Sequence, residues 1–399
     1  MGKTYGLTLN GLATEVLPPE IKWSRTSIKI TGITFGSKDA VYSNWSDKVE
    51  KVRTQVSRWS NRHLSLIGKV LVINTLLYPS FYYVAPVFPI PASVVKEVNK
   101  IVFSFLWGNN RPDLVKRETI TASRNEGGLG LDNLKLKMDA LLVKPTLPLL
   151  RECNNSQSHL MLTRFFTASS LRGLFPHLWS NSRPNSATCT FTLSHICSVI
   201  KKLFSLDSSF FICCSRTKHI VTLLNSEVVL SIAAVRKNPT FPWDRIWVLA
   251  ANDLLDNKLQ DFQWRLAHRV LYTGKRIKDW GMGDGICPFS RCVEIETIDH
   301  IFWECEKAKP IVQWVSSVVR NMIGNFTLQP SMFLFGFPEL NVSKPIFKRI
   351  WFLFCLSKFI LWKSRCIHVF EGHEQSSAMV LSKIVCEVKD RVRANRIRF

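Results

Sequence analysis

Cys287-Pro288-Phe289-Ser290-Arg291-Cys292-Val293-Glu294-Ile295-Glu296-Thr297-Ile298-Asp299-His300-Ile301-Phe302-Trp303-Glu304-Cys305 sets three cysteines and one histidine in the order Cys-x4-Cys-x7-His-x4-Cys. Zinc prefers tetrahedral sulfur and nitrogen donors, and three thiolates with one imidazole form a common closed set. The short gaps let one turn and the start of a helix bring Cys287, Cys292, His300 and Cys305 together. Gly285 and Pro288 suit a tight knuckle around the first ligand. Four protein ligands leave no open position, so the expected Zn²⁺ is structural. The competing reading is chance, since the chain holds 11 Cys and 9 His. Clustering of four such residues in so short a stretch favours the metal.

Helical patterning flanks this stretch on both sides. It runs from Trp243 to Trp280 before the Gly-rich turn Gly281-Met282-Gly283-Asp284-Gly285, and from Ile350 to Trp362 after it. Towards the N-terminus, Trp45, Val49, Val52, Val56 and Trp59 recur at intervals of 4, 3, 4 and 3, one apolar stripe of a helix. Asn44 is the expected N-cap of that helix. A second helix is expected from Ala92 to Trp107, burying Val94, Val98, Ile101, Val102 and Phe105, and a third over residues 133–150. Residues 27–36 alternate apolar and polar with β-branched side chains and read as a strand. Residues 151–240 are punctuated by Ser, Asn and Pro and read as a connecting region with a mobile loop near 180–190. No internal repeat is present.

Charge narrows the function. The 399 residues carry 53 Lys+Arg against 30 Asp+Glu, a net charge of +23. A pI near 9.8 points to a polyanionic partner, nucleic acid before an anionic membrane, with a merely basic soluble enzyme as the bland alternative. Residues 45–150 are net +7 and residues 344–399 net +8, while residues 236–320 are near balance. A hydrophobic content of 46% excludes a mostly disordered chain. The odd number of scattered Cys, and a start without an apolar leader, argue against a disulfide framework and for a reducing compartment, nucleus or cytoplasm. Val70 to Val95 holds no formal charge, but Pro79, Pro86, Pro89 and Pro91 interrupt it, so a buried helix end and an extended turn are expected rather than a membrane span.

Five blocks then resemble one family in its own order. Tyr5-Gly6-Leu7-Thr8-Leu9-Asn10 through Thr14-Glu15 is similar to a late palm segment. Ile28-Lys29-Ile30-Thr31-Gly32-Ile33 is similar to a primer-grip strand. Trp59-Ser60-Asn61-Arg62-His63-Leu64-Ser65-Leu66-Ile67-Gly68-Lys69 looks like a first thumb motif. Phe105-Leu106-Trp107 and Glu126-Gly127-Gly128-Leu129-Gly130-Leu131 match the next landmarks, and the Cys/His cluster resembles the zinc-binding segment. Lys358 to Arg365 fits the tail helix. Together they resemble the C-terminal part of the reverse transcriptase of non-LTR (LINE-type) retrotransposons.

The resemblance implies a mainly α protein: a helical thumb and C-terminal helices around a Cys3His zinc knuckle, with a short β remnant of the palm. The expected segments are a palm remnant (1–40), thumb (41–150), connecting region (151–240), zinc-binding segment (241–310) and C-terminal helices (311–399). It implies contact with RNA or RNA–DNA hybrid, with Arg58, Arg62, Lys69, Lys363 and Arg365 as candidate cations and no membrane partner. The family's polymerase holds two Mg²⁺ on carboxylates, two of them from a Tyr/Phe-x-Asp-Asp turn. This sequence contains no Asp-Asp pair, and Ala13 stands where the family has a Lys. A truncated, non-catalytic segment without Mg²⁺ is therefore expected. Two alternatives stay open: the C-terminal piece of an intact RNA-directed DNA polymerase, and a host-adopted zinc-knuckle module for protein contacts.

Overall fold

The computed structural model describes residues 5–7, 21–108, 111–151, 191–207, 216–226, 232–290, 292–338 and 340–393. The rest of the late palm motif (8–15, with Ala13), the stretch expected to form a loop near 180–190, and the last six residues of the basic 344–399 stretch lie outside them. Among the described residues the protein is mainly α-helical, with only short strands. In chain order the strands are β1 (Tyr5–Leu7), β2 (Lys22–Ser24), β3 (Ser27–Ile30) and β4 (Ile33–Gly36). The first helices are α1 (Lys38–Ser60), α2 (Leu66–Val72), α3 (Pro79–Tyr82) and α4 (Ala92–Trp107). Then come α5 (Arg117–Thr121), α6 (Leu134–Val143), α7 (Thr146–Arg151), α8 (Phe191–Leu206) and α9 (Thr217–Asn225). The remainder are α10 (Ala233–Lys237), α11 (Trp243–Ala250), α12 (Asn257–Ala267), α13 (Gly274–Asp279), α14 (Lys309–Ile323), α15 (Pro330–Phe335), α16 (Lys344–Glu371) and α17 (Ser377–Arg393).

The chain divides into two units. One comprises residues 1–63, 69–112 and 131–229, the other residues 64–68, 113–130 and 230–399. This groups the sequence differently from the five expected segments. Helices α8 and α9, expected in a connecting region, pack on α6 and share a core of Ala140, Val143, Ile200, Leu203 and Ile220. The expected zinc-binding and C-terminal segments share one core.

In the first unit, residues 27–36 form a hairpin rather than one strand. Ile28 pairs with Phe35 and Ile30 with Ile33 across a two-residue turn. Thr31 (φ 47°) and Gly32 (φ 87°) take the left-handed backbone that such turns need. The capping expectation fails in an instructive way. Ser37 caps α1, its hydroxyl accepting from the Ala40 N–H. Asn44 lies inside the helix, buried, and clamps β4: its Oδ1 accepts from the Thr34 N–H and its Nδ2 donates to the Thr34 carbonyl, both at 2.8 Å. The apolar stripe is real: Trp45, Val49 and Val52 are buried, while Val56 and Trp59 are half-buried near the helix end. It packs on α4, whose Val94, Val98 and Val102 are fully buried. The uncharged Val70–Val95 stretch contains the end of α2, a π-turn at Ile73–Leu77, α3, a proline-bearing turn and the start of α4. No helix among the described residues is long and apolar enough to cross a membrane.

In the second unit, the Gly127-Gly128 pair has a steric reason. A Cβ on Gly128 would sit 1.9 Å from the Ala122 carbonyl oxygen, and one on Gly127 (φ 85°) 2.7 Å from the Trp247 ring. The Gly127 carbonyl accepts from Trp264 Nε1 at 2.9 Å and His268 Nε2 at 2.7 Å. The centre of this unit is α16, buried from Ile350 to Lys358. Lys358 donates to the Leu334 carbonyl at 2.8 Å, its ammonium 4.6 Å from the Trp351 ring centre, and burial lowers its pKa to about 8.

Candidate metal centre

The knuckle is a small hairpin set against α16. Residues 285–296 fold back on themselves: the Cys287 N–H donates to the Glu294 carbonyl and the Glu296 N–H to the Gly285 carbonyl, each at 2.9 Å. Gly285 has φ 82°, a left-handed turn at which a Cβ would meet Lys278 at 2.8 Å. Cys292 lies in a turn closed by its N–H on the Phe289 carbonyl at 3.1 Å. His300 opens a π-turn, His300–Glu304, and Cys305 ends it, its N–H donating to the His300 carbonyl at 2.9 Å. Apolar Ile301 and Phe302, inside that turn, are buried and anchor it in the core.

The structure brings the four expected ligands together. Their donor atoms all lie within 4.8 Å of one another. Cys292 Sγ is 3.3 Å from His300 Nε2, and Cys287 Sγ is 4.0 Å from Cys305 Sγ. With Zn–S bonds of about 2.3 Å, the edge of a zinc tetrahedron is about 3.8 Å, so the cluster has the size of such a site. Cys287, His300 and Cys305 are buried and Cys292 half-buried. The hydrogen bond between Cys287 and Cys305 pulls the Cys305 thiol well below the usual range, while the same bond and burial push Cys287 up. The donor set therefore fits Zn²⁺: a cation would take the place of the proton now shared, and all four groups are protein ligands.

Sequence reasoning missed what props the knuckle up. Glu296 is fully buried and forms a bidentate pair with Arg365 of α16, Nε to Oε1 at 2.8 Å and Nη2 to Oε2 at 2.7 Å. Its Oε2 also accepts from the Gly274 N–H at the start of α13. His368, one turn beyond Arg365, has Nε2 2.7 Å from the Pro288 carbonyl oxygen and stacks on Phe289 with centroids 5.4 Å apart. Ser290 donates to Glu374, which also pairs with Lys307. No local pattern signals these partners, because 69 residues separate Glu296 from Arg365.

The candidate nucleic-acid cations meet different fates. Arg58 and Arg62 are exposed, with the Arg62 guanidinium 4.5 Å from the Trp59 ring centre. Lys363 is exposed and lies 5.6 Å from the Phe359 ring centre. Arg365 is a correction: it is buried on Glu296 and faces no solvent from which a phosphate could approach. Lys69 is half-buried and donates to the Phe105 and Leu106 carbonyls at 2.8 and 3.0 Å, capping the last turn of α4. Beside it, α1 and α4 enclose a groove of about 760 Å³ lined by Arg53, Lys100, Ser57, Ser60 and Asn61, with Glu97 pairing Arg53 at 2.5 Å. Arg53 and Lys100 were not singled out from the sequence.

Residues 227–311, which contain the cluster, match the family described as zinc-binding in reverse transcriptase. The chain is also similar to a Xenopus laevis protein named "Transposon TX1 uncharacterized 149 kDa protein", at 25% identity over 192 residues, 45% of this chain and 14% of that protein. A "Putative ribonuclease H protein" of Arabidopsis thaliana is 27% identical over 128 residues, 31% of this chain and 20% of that protein. The chain thus spans a fifth or less of the length of these curated relatives. The resemblance to the C-terminal part of a retrotransposon reverse transcriptase holds on these matches.

Proposed function

We propose that this chain is a reverse-transcriptase-derived segment that binds RNA or RNA–DNA hybrid, braced by a structural Zn²⁺, and that its own residues perform no polymerase chemistry. The Cys3His cluster, assembled inside the segment that matches reverse-transcriptase zinc-binding sequences, carries the reading. The cations around the α1–α4 groove and exposed Arg58, Arg62 and Lys363 supply sequence-independent attraction to phosphates. No Asp-Asp pair is available to hold Mg²⁺.

Zn²⁺, when bound, supplies charge and geometry to a closed site. Cys287, Cys292, His300 and Cys305 hold it, and Glu296 with Arg365 orients the hairpin that carries two of them. The test of binding is fluorescence anisotropy against labelled RNA and hybrid across a salt series. If roughly six phosphates are neutralised, affinity falls ~10³-fold from 50 to 200 mM salt. Affinity that is flat with salt, or absent at 50 mM, removes nucleic acid as the partner. Primer extension with Mg²⁺ or Mn²⁺ tests the second half, and extension above a contaminant control overturns it.

One observation favours a second reading, protein contact through the knuckle. Ile286, Val293 and Ile295 are exposed on its hairpin, Val293 to 82%. RNA crosslinking in cells with and without Cys305 separates the two. Reading the coding sequence upstream of Met1 for an in-frame Tyr/Phe-x-Asp-Asp turn tests whether a polymerase palm belongs to the same protein.

A further inference from the structure

Within the second unit lies a cleft of about 540 Å³ whose lining includes five cations, Lys116, Arg236, Lys237, Arg269 and Arg276, beside an apolar floor with Leu114, Ile232 and Val270. The one carboxylate of its lining, Asp113, accepts from Arg117 Nε at 2.8 Å. Lys116 precedes α5, Arg236 and Lys237 end α10, and Arg269 and Arg276 lie before and within α13. Segments distant in sequence therefore converge their positive charge on one concavity, where low-dielectric walls focus the field. Lys116, Arg236 and Lys237 are exposed, and no ion pair joins them among the described residues. Nothing in the near-neutral charge balance of residues 236–320 hints at this concentration.

A second observation is independent of charge. Arg269 and Arg276 each bury an Nε–H that finds no hydrogen-bond partner among the described residues. Buried polar groups are nearly always satisfied, so two unpaired Nε–H groups on the side chains beside one cleft are unusual. Both side chains are held in place beforehand. Arg269 Nη1 donates to Asp299 at 2.7 Å, and Arg276 Nη1 donates to the Arg269 carbonyl at 3.2 Å. Arg276 also lies 5.1 Å from the Trp280 ring centre. Arg269 keeps a left-handed backbone (φ 56°), a conformation that residues other than Gly sustain only where the surroundings impose it.

We infer that this cleft binds the phosphodiester backbone of a single nucleic-acid strand, as a contact site additional to the α1–α4 groove. The inference rests on the nucleic-acid reading above and gives it a second address. Phosphate oxygens are the acceptors that both planar guanidinium groups and the rim cations suit. The contact is with the backbone, so little base preference is expected.

The test uses the full chain and a fluorescein-labelled oligouridylate, followed by anisotropy from 50 to 200 mM salt. Arg236→Glu/Lys237→Glu is compared with Arg58→Glu/Arg62→Glu. All four positions are exposed, and circular dichroism with bound zinc confirms that each variant is folded. The cleft variant is expected to lower the slope of log K against log salt by about 1.4 units, at ~0.7 per phosphate on a single strand. Ultraviolet crosslinks of the unmodified chain are expected in residues 232–237 or 269–280. A slope unchanged in the cleft variant, with crosslinks outside those segments, overturns the cleft while leaving the nucleic-acid reading intact. Absence of binding by the unmodified chain at 50 mM salt overturns both.

Discussion

Arg365 and Glu296 form the most buried charged contact of the knuckle, with side chains 4% and 0% exposed. Removing one partner strands a buried charge, which is far more damaging than losing the pair. Arg365→Met is therefore expected to destabilise by about 3–5 kcal/mol, read from denaturant unfolding, and adding Glu296→Gln should restore part of that loss. The two substitutions adding independently would show that the pair is not coupled. The ligands have a different signature. Cys292→Ser should lower zinc from about one per chain towards zero by elemental analysis; unchanged stoichiometry would place the metal elsewhere. His268 makes a pH prediction. Burial lowers its pKa from 6.5 to about 4 against its bond to the Gly127 carbonyl. Between those values the unfolded chain takes up a proton that the folded chain does not. Its contribution is thus fully present above pH 6.5 and is lost as pH falls towards 4, by about 3 kcal/mol at most. His268→Gln should flatten that part of the stability profile relative to the unmodified protein, while zinc-ligand protonation affects both alike.

At the scale of elements, α1 shows how a sequence pattern can be right about a helix and wrong about its start. The 3- and 4-residue recurrence from Trp45 marks the buried face, but the helix begins about two turns earlier, capped by Ser37. Lys38, Asp39 and Tyr42 are exposed and Asn44 turns to β4, so the first two turns carry little of the buried apolar period. Asn44 was legible as a helix-associated polar residue; its bonds to both backbone groups of Thr34 were not. Asn44→Ala leaves those partly buried groups without the amide and should cost about 1–3 kcal/mol, measured by chemical denaturation. Unaltered stability would mean that water or a backbone shift replaces the amide. Lys69 and Lys358 carry the same lesson. Lys69 was a candidate phosphate contact and Lys358 only part of the tail-helix block, and both are used on helix-end carbonyls, at Phe105 and Leu106 for one and Leu334 for the other.

For the whole molecule, the core of Ala140, Ile200 and Ile220 lies within the first unit, and the ligands Cys287 and Cys305 belong to a core within the second. Zinc removal should therefore act unevenly. Chelation at neutral pH is expected to expose residues 285–310 and the facing part of α16 to limited proteolysis, while α1 and α4 stay protected. Equal loss of protection in both units would show that the metal supports the entire chain. Structural zinc in small loops contributes on the order of 10 kcal/mol of apparent binding free energy at pH 7, enough to decide whether the knuckle is folded.

The sequence by itself determined the features that rest on local spacing. Cys287, Cys292, His300 and Cys305 are close in the chain, so their ligand set is short-range chemistry. The helical period from Trp45 and the α4 boundaries at Ala92 and Trp107 are also local. Tertiary structure decided whatever depends on which distant segments meet. It sent Arg365 inward to Glu296, joined the zinc segment and the last helices in one core, placed α8 and α9 on α6, and gathered Lys116, Arg236, Lys237, Arg269 and Arg276 on one cleft. A charged side chain looks the same in a sequence whether it meets water, a carbonyl or a buried carboxylate. Only folding sets its dielectric surroundings and its partner, and with them whether its charge braces the core or is left to meet a ligand.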